Sequence, residues 1–401
     1  MFLLQAWLGL LPLAAALPAD LCTLDKRGDG YSPPRSVMYV QTFRTTSGGK
    51  LSLLPIVEQN TRATHIYLAA THINEDPNGI TLNDHSPDDA MFDSVWSDVA
   101  TLQQRGVKVM MMLGGAAAGS YPRLCSGSNG AVSETYYTPL RDVLRRHKVD
   151  GIDLDIEEQV PYTCPLNLLR RFYQDFGKDF ILTMAPVASE LQPAGYGLGG
   201  FSYKTLESKA TASDKPNGKI VNWYNAQFYN GWGDASSANG YNAIVANGYS
   251  PDRVALGVLD SRNDGGSGWY ALGTYAKTIA TLRKNYNNFG GDVGWEYWDA
   301  GVSESPALQN PWEWVKTMGN AIFDGSTIQE DRNTTVADAP SPWPAATEQI
   351  VKLSGTTGKP VPWLEAVQAL NRTDGSRDQA LDLLGLGDLI GGLLDLLPLD
   401  V

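Results

Sequence analysis

A closed (β/α)₈ barrel is the fold class that the 401-residue sequence predicts. Three observations carry it. Short β-rich apolar runs alternate with amphipathic stretches from Tyr31 to Asp324, the runs number eight, and eight strand–helix units in roughly 290 residues is the size of such a barrel. A doubly wound open sheet is the runner-up, because alternation alone does not say whether a parallel sheet closes.

The eight runs, in order, are Val37–Phe43, His65–Thr71, Val107–Leu113, Val149–Ile156, Phe180–Pro186, Ile220–Tyr229, Arg253–Leu259 and Asp292–Tyr297. Helix-period segments lie between them. In the clearest, Ser86 is the expected N-cap, Pro87 the first helical residue, and Asp88 and Asp89 occupy the first turn. The stripe Phe92, Val95/Trp96, Val99 and Leu102 follows at spacings of three and four. The catalytic-size barrel is expected over 31–325.

The flanks differ in character. An apolar run from Met1 to Ala16, ending Ala14-Ala15-Ala16 before Leu17-Pro18, has the length of a secretory signal core and is too short to span a bilayer. Lys26-Arg27 is a candidate second processing site. Cutting there would remove Cys22 and leave Cys125 and Cys164 from an odd set of three. These two cysteines fall after the third and fourth strands, which are neighbours in a barrel, so a disulfide bracing the rim is expected. Residues 326–401 form a tail punctuated by Pro340-Ser341-Pro342-Trp343-Pro344 and Pro360-Val361-Pro362-Trp363. It carries N-glycosylation acceptors at Asn333 and Asn371, and its Leu-rich end is interrupted by Asp382, Asp388, Asp395 and Asp400, which excludes a membrane span or lipid-anchor signal. A partly disordered, partly helical tail is expected.

Composition excludes several functions. Hydrophobic content of 43% with 19% charged residues is globular, and 31 basic against 44 acidic residues gives a net charge of −13. No Lys/Arg run exceeds two residues, so the chain is not built to track nucleic-acid phosphates or anionic lipid. His65, His72, His85 and His147 show no metal-ligand spacing, and no metal or cofactor is expected. Gly195-Tyr196-Gly197-Leu198-Gly199-Gly200 matches a dinucleotide fingerprint by letters alone; following Pro193, it reads as a loop.

The chemistry is concentrated in Val149-Asp150-Gly151-Ile152-Asp153-Leu154-Asp155-Ile156-Glu157-Glu158. Acids alternate with aliphatics, so a strand places Asp153, Asp155 and Glu157 on one face and Ile152, Leu154 and Ile156 on the other. In a barrel the aliphatic face packs under the helices, and the carboxyls climb the lumen towards the C-terminal rim, where barrel enzymes work. Three like charges at this spacing, if buried, hold at least one proton near neutral pH. A protonated carboxyl beside an ionised one is what general acid catalysis of glycosidic cleavage requires. A solvated edge strand would not need the aliphatic face, and a calcium loop would need a different pattern.

Asp150-Gly151-x-Asp153-x-Asp155-x-Glu157 resembles the signature of glycoside hydrolase family 18. Five fixed positions arise by chance on the order of once in several thousand chains of this length. Leu113-Gly114-Gly115, Met184-Ala185-Pro186, Gln227-Phe228-Tyr229-Asn230 and Gly290-Gly291-Asp292-Val293-Gly294-Trp295 extend the likeness over about Ser36 to Trp314. Met112 departs from it, standing where the family usually has Ser.

The resemblance implies a retaining, substrate-assisted hydrolysis. Glu157 would protonate the leaving oxygen, and the 2-acetamido carbonyl of the substrate would attack the anomeric carbon to form an oxazolinium ion. Asp155 would hold the acetamido N–H, supported by Asp153, and Tyr229 would donate to the acetamido carbonyl. Trp295 would floor the sugar subsite, with Gln227, Met184, Gly114 and Tyr39 as further substrate-binding positions.

Several loops are similar to secreted fungal endo-β-N-acetylglucosaminidases: Leu82-Asn83-Asp84 with Pro87-Asp88-Asp89, Val187-Ala188-Ser189, Trp223-Tyr224-Asn225 and Gly294-Trp295-Glu296-Tyr297. The expectation is a secreted, monomeric enzyme cutting the GlcNAc-β1,4-GlcNAc bond of the N-glycan core. Chitinase is the competing reading, and a silent lectin the weaker one, since Glu157 is present.

Overall fold

The computed structural model describes residues 32–45, 48–126 and 129–324, with isolated positions 350, 381 and 384. The chain divides into two units, Met1–Thr327 and Ile328–Val401, of which the first holds the barrel. The expected leader, Cys22, Lys26-Arg27, Asn333, Asn371 and the punctuated tail lie outside the described residues.

Eight parallel strands form the centre: β1 Arg35–Val40, β2 His65–His72, β3 Lys108–Gly114, β4 Gly151–Asp155, β5 Ile181–Met184, β6 Trp223–Gln227, β7 Val254–Leu259 and β8 Gly291–Trp295. Each pairs with its sequence neighbours. β1 pairs with both β2 and β8, at Val37↔His65 and Ser36↔Asp292, so the sheet closes and the open-sheet alternative falls. Gly291 sits at that seam with φ +114°. A Cβ there would come 1.9 Å from the Arg35 carbonyl oxygen, so only glycine lets the last strand meet the first.

A helix of the outer layer follows each strand: α1 Pro55–Glu58, α2 Asp93–Gln104, α3 Glu134–Arg146, α4 Thr163–Phe176, α5 Tyr203–Lys209, α6 Asn239–Ala246, α7 Leu272–Asn285 and α8 Pro311–Asp324, with short extra helices Ser120–Leu124 and Ala188–Leu191 in the loops after β3 and β5. Their buried stripes explain the wrapping. α3 turns Tyr137, Leu140, Val143 and Leu144 inward, and α8 turns Trp314, Val315, Met318 and Ile322 inward.

Inside the barrel, alternate residues fill the lumen. Val37 and Tyr39, Tyr67 and Ala69, Met110 and Met112, Ile181, Trp223, Ala255 and Val293 form one buried cluster, with Trp295 packed against it from the rim. Arg35 closes the N-terminal end, its guanidinium 4.1 Å from the Trp223 ring centroid, and burial lowers its pKa to about 10.

Strand ends shift by one to three residues from the sequence expectation, and two boundaries matter most. α2 starts at Asp93, because Asp89 caps a separate 3₁₀ turn over Ala90–Phe92 through its Oδ1, which accepts from the Met91 N–H at 2.8 Å. Ser86 therefore caps no helix, and the Trp96 indole pins the turn by donating to the Pro87 carbonyl at 2.8 Å. The stripe itself is as expected, with Phe92, Val95, Val99 and Leu102 buried. β4 ends at Asp155, so Glu157 lies two residues beyond the strand expected to carry it. Pairing to β3 stops at Gly114↔Asp155, and the chain then turns.

Candidate active site

The site is built up strand β4. At its foot the Asp150 carboxylate accepts from the Val109 N–H at 2.8 Å, the Gln103 amide at 2.9 Å and Lys108 Nζ at 3.2 Å. Asp150 thus ties the strand entry to β3 and α2 and stays outside the lumen chemistry. Ile152 and Leu154 are fully buried and face the helices, while Asp153 and Asp155 face the lumen, as the period-two pattern requires.

Asp153 has no exposed surface. Its Oδ2 accepts from the Tyr39 hydroxyl at 2.6 Å, and its Oδ1 accepts from the Thr183 hydroxyl at 2.6 Å and the Asn225 amide at 3.1 Å. Burial raises its pKa to about 6, although all three hydrogen bonds pull the other way.

Above it, Asp155 and Glu157 meet at one amide. Gln227 Nε2 lies 3.1 Å from Asp155 Oδ1, 3.3 Å from Glu157 Oε1 and 2.9 Å from the Ala185 carbonyl. Burial drives the Asp155 pKa well up, and the negative charges of Glu157, Asp153 and Glu190 add to it; burial raises Glu157 against the Gln227 bond. The pair therefore retains a proton at pH values where free carboxyls have lost theirs. Near it, the Tyr229 hydroxyl is held protonated, chiefly by burial and then by the Asp155 and Glu157 charges, and so stays a donor.

The pocket over these groups is lined by Tyr39, Asp155, Ala185, Gln227, Tyr229 and Trp295, among others. Trp295 is partly buried, with its ring edge-on to Tyr39 at 5.4 Å between centroids. Among the described residues that line this pocket, Asp155 is the one carboxylate.

The expected site residues are therefore mostly brought together; Met184 is not, and Gly114 enters through its backbone alone. Met184 is fully buried and follows lumen-facing Thr183, so its side chain points to the helix layer and cannot touch a ligand; Ala185 lines the pocket instead. Gly114 is a packing residue. It has φ +98°, and a Cβ would lie 2.2 Å from the Asp155 carbonyl oxygen, so its absence of side chain lets β3 lie against β4. Tyr39 lines the pocket, but its hydroxyl is spent on Asp153.

Cys125 and Cys164 are bonded, with 5.5 Å between Cα atoms; Cys164 lies in the first turn of α4 rather than in a loop. The bond joins α4 to the end of the short helix Ser120–Leu124. The Gly195–Gly200 stretch is a loop.

Sequence reasoning missed Thr183 and Asn225, which supply two of the three donors to Asp153, and it missed Glu158 and Glu190. Period-two position on β5 and β6, relative to Ile181 and Trp223, was the available signal for the first two. Glu190 is 4% exposed, and burial raises its pKa to about 7. Among the described residues no group of three His, Cys, Asp or Glu could hold a metal ion, and no helix is long and apolar enough to cross a membrane.

Comparison with known proteins places this geometry. The family described as glycosyl hydrolases family 18 matches residues 35–264. Chitinase 1 of Rhizopus niveus is 28% identical over 222 residues, covering 51% of this chain and 40% of that protein. A chitinase of Enterococcus faecalis is 28% identical over 239 residues, covering 51% and 63%. The chain thus spans less than two thirds of the length of these curated relatives. Among solved structures, a chitinase from Aspergillus fumigatus shares 44% identity with a TM-score of 0.63, covering 71% of this chain and 98% of that one. A fungal endo-β-N-acetylglucosaminidase shares 36% identity with a TM-score of 0.66, covering 73% and 99%.

Proposed function

The chain belongs to glycosyl hydrolases family 18, and from that premise we propose that it hydrolyses the β1,4 bond between two GlcNAc residues with retention, taking the N-glycan core as substrate. The observation that carries this reading is the single Gln227 amide within hydrogen-bond distance of both Asp155 and Glu157, at the mouth of a pocket walled by Tyr229 and Trp295.

In the proposed reaction the proton held by the carboxyl pair passes from Glu157 to the leaving glycosidic oxygen. As the family resemblance implies, the nucleophile is the substrate's own 2-acetamido oxygen. It attacks the anomeric carbon as the C–O bond breaks, and the oxazolinium ion forms. Asp155 accepts the acetamido N–H and offsets the developing positive charge, and Tyr229 donates to the acetamido oxygen. Water, deprotonated by Glu157, then attacks the anomeric carbon, regenerating the acetamido group and the acid. Trp295 offers an apolar ring to the sugar face. The enzyme would act outside the cell as a monomer; the N-terminal apolar run and the disulfide support the compartment.

Chitin is a second reading, favoured by the higher identity to the Aspergillus fumigatus chitinase. Mass spectrometry of products from a high-mannose glycoprotein and from a chitin oligomer, incubated in parallel, separates the two. Protein left carrying one GlcNAc supports the N-glycan reading, whereas shortened oligomers beside an intact glycoprotein replace it with chitin. Inactivity on both, with oligomer binding retained, would make the protein a lectin.

A further inference from the structure

Glu157 sits beyond the end of β4, so no sheet ladder fixes its backbone. Two other carboxylates take over, one on each side. Towards β3, the adjacent Glu158 accepts the Gly119 N–H on Oε2 at 2.8 Å and the Tyr121 N–H on Oε1 at 2.9 Å. That segment is itself anchored, since the Tyr121 hydroxyl donates to the Leu113 carbonyl at 2.7 Å and the Cys125–Cys164 disulfide follows at once. Towards β5, the Val160 N–H donates to the Gly199 carbonyl at 3.0 Å. The Gly199 N–H in turn donates to Glu190 Oε1 at 2.8 Å, and Glu190 Oε2 accepts the Val187 N–H at 3.2 Å. Packing closes the same side. A Cβ on Gly197 would come 2.2 Å from Glu190 Cγ, and one on Gly200 would press on Gln159 at 3.1 Å.

Building on the proposed function, we propose that Glu158 and Glu190 are positioning residues, a pair of carboxylate clamps that hold the loop bearing Glu157 and so set where its proton is delivered. When ionised, each clamp uses both carboxylate oxygens as acceptors for converging backbone N–H groups. No other side chain of that size offers two acceptors; Gln offers one and turns an NH₂ group against the remaining N–H. A Glu→Gln change therefore breaks one arm of a clamp at nearly constant volume. Proton delivery is steep in geometry, and a misplacement of about 1 Å costs about a hundredfold.

The test measures Glu158→Gln and Glu190→Gln, each in the full chain, on two substrates with the same sugar in the reacting position. One is a GlcNAc-β1,4-linked oligosaccharide, whose leaving sugar needs the proton. The other is a dinitrophenyl chitobioside, whose leaving group departs without it. The expected result for each variant is a kcat/KM about ten- to a hundredfold lower on the oligosaccharide with KM within about twofold, and a kcat/KM within about threefold on the dinitrophenyl substrate, because kcat/KM reads the first step and not the later one in which Glu157 acts as base. Equal losses on both substrates, or no loss on either, overturns the proposal. Glu158→Asp and Glu190→Asp keep two acceptors but retract them by a methylene, and they replace any Gln variant that does not fold. Amide hydrogen exchange is read alongside. Faster exchange at 156–160 with unchanged strand protection supports the clamps, and unchanged exchange there overturns them. Should the wild type cleave neither substrate, the proposed function falls and the exchange result alone decides the clamps.

Discussion

Replacing Asp153 by Asn is expected to remove a block of pH-dependent stability that the fold builds into its lumen. The carboxyl is fully buried, accepts three hydrogen bonds, and still has its pKa raised from 3.8 to about 6, because the loss of solvation outweighs those bonds. The native state therefore holds a proton that the unfolded chain releases above about pH 4. Stability from this source is fully present below the unfolded pKa and is lost as pH rises through the folded value. The rise from 3.8 to about 6, at about 1.4 kcal/mol per pH unit, is worth about 3 kcal/mol. The amide of the Asp153→Asn variant does not titrate, so the difference in unfolding free energy between wild type and variant should shrink by about 3 kcal/mol from about pH 4 to about pH 7 and then level off. Urea unfolding at half-unit pH steps measures it. Glu190, Asp264 and Asp292, raised to about 7, 8 and 8 mainly by burial, tilt both proteins the same way; the comparison is therefore between the two curves rather than along one. A difference that stays flat across this range, or grows with pH, refutes the reasoning.

Other perturbations probe separate parts of the molecule. Glu157→Gln should lower kcat/KM on an oligosaccharide by about 10²- to 10⁴-fold while sparing kcat/KM on a dinitrophenyl glycoside, whose first step needs no acid; near-normal turnover of the oligosaccharide would move the acid elsewhere. Converting both Cys125 and Cys164 to Ser opens a link between residues 39 apart and should cost about 3–4 kcal/mol in thermal or urea unfolding. Met184→Ala should destabilise by about 2–5 kcal/mol and leave KM unchanged, since the side chain packs under the helices; a raised KM with intact stability would return Met184 to the pocket. Trp295→Ala should weaken kcat/KM about tenfold or more through loss of the ring beneath the sugar, measured by steady-state kinetics on the same oligosaccharide.

The acid run on β4 was legible because its information is local. Period-two alternation dictates which side of a strand each residue faces, and a closed parallel sheet offers only a lumen and a helix layer. Asp153 and Asp155 thus lie where the spacing put them. The eight strands were equally readable, being apolar runs that can be buried on both faces, and Cys125 and Cys164 followed from the adjacency of consecutive strands.

Local signals failed where two segments compete for the same backbone groups. Asp89 took the capping role expected of Ser86, since a 3₁₀ turn met Asp89 first. The strand expected to reach Ile156 stopped at Asp155, where pairing to β3 ends. Met184 and Gly114 were placed by motif letters. In the barrel, alternation from Thr183 turns the one outward, and the approach of Asp155 makes the other a matter of space.

The sequence by itself determined the barrel, the strand that bears the acids and the disulfide pair, because each rests on periodicity or on order along the chain. Only the tertiary structure decided what surrounds those acids. Thr183 and Asn225 beside Asp153, and Gln227 between Asp155 and Glu157, arrive from strands 30 to 72 residues away. The burial that raises the carboxyl pKa values is a property of closure, which no stretch of chain possesses until the last strand meets the first.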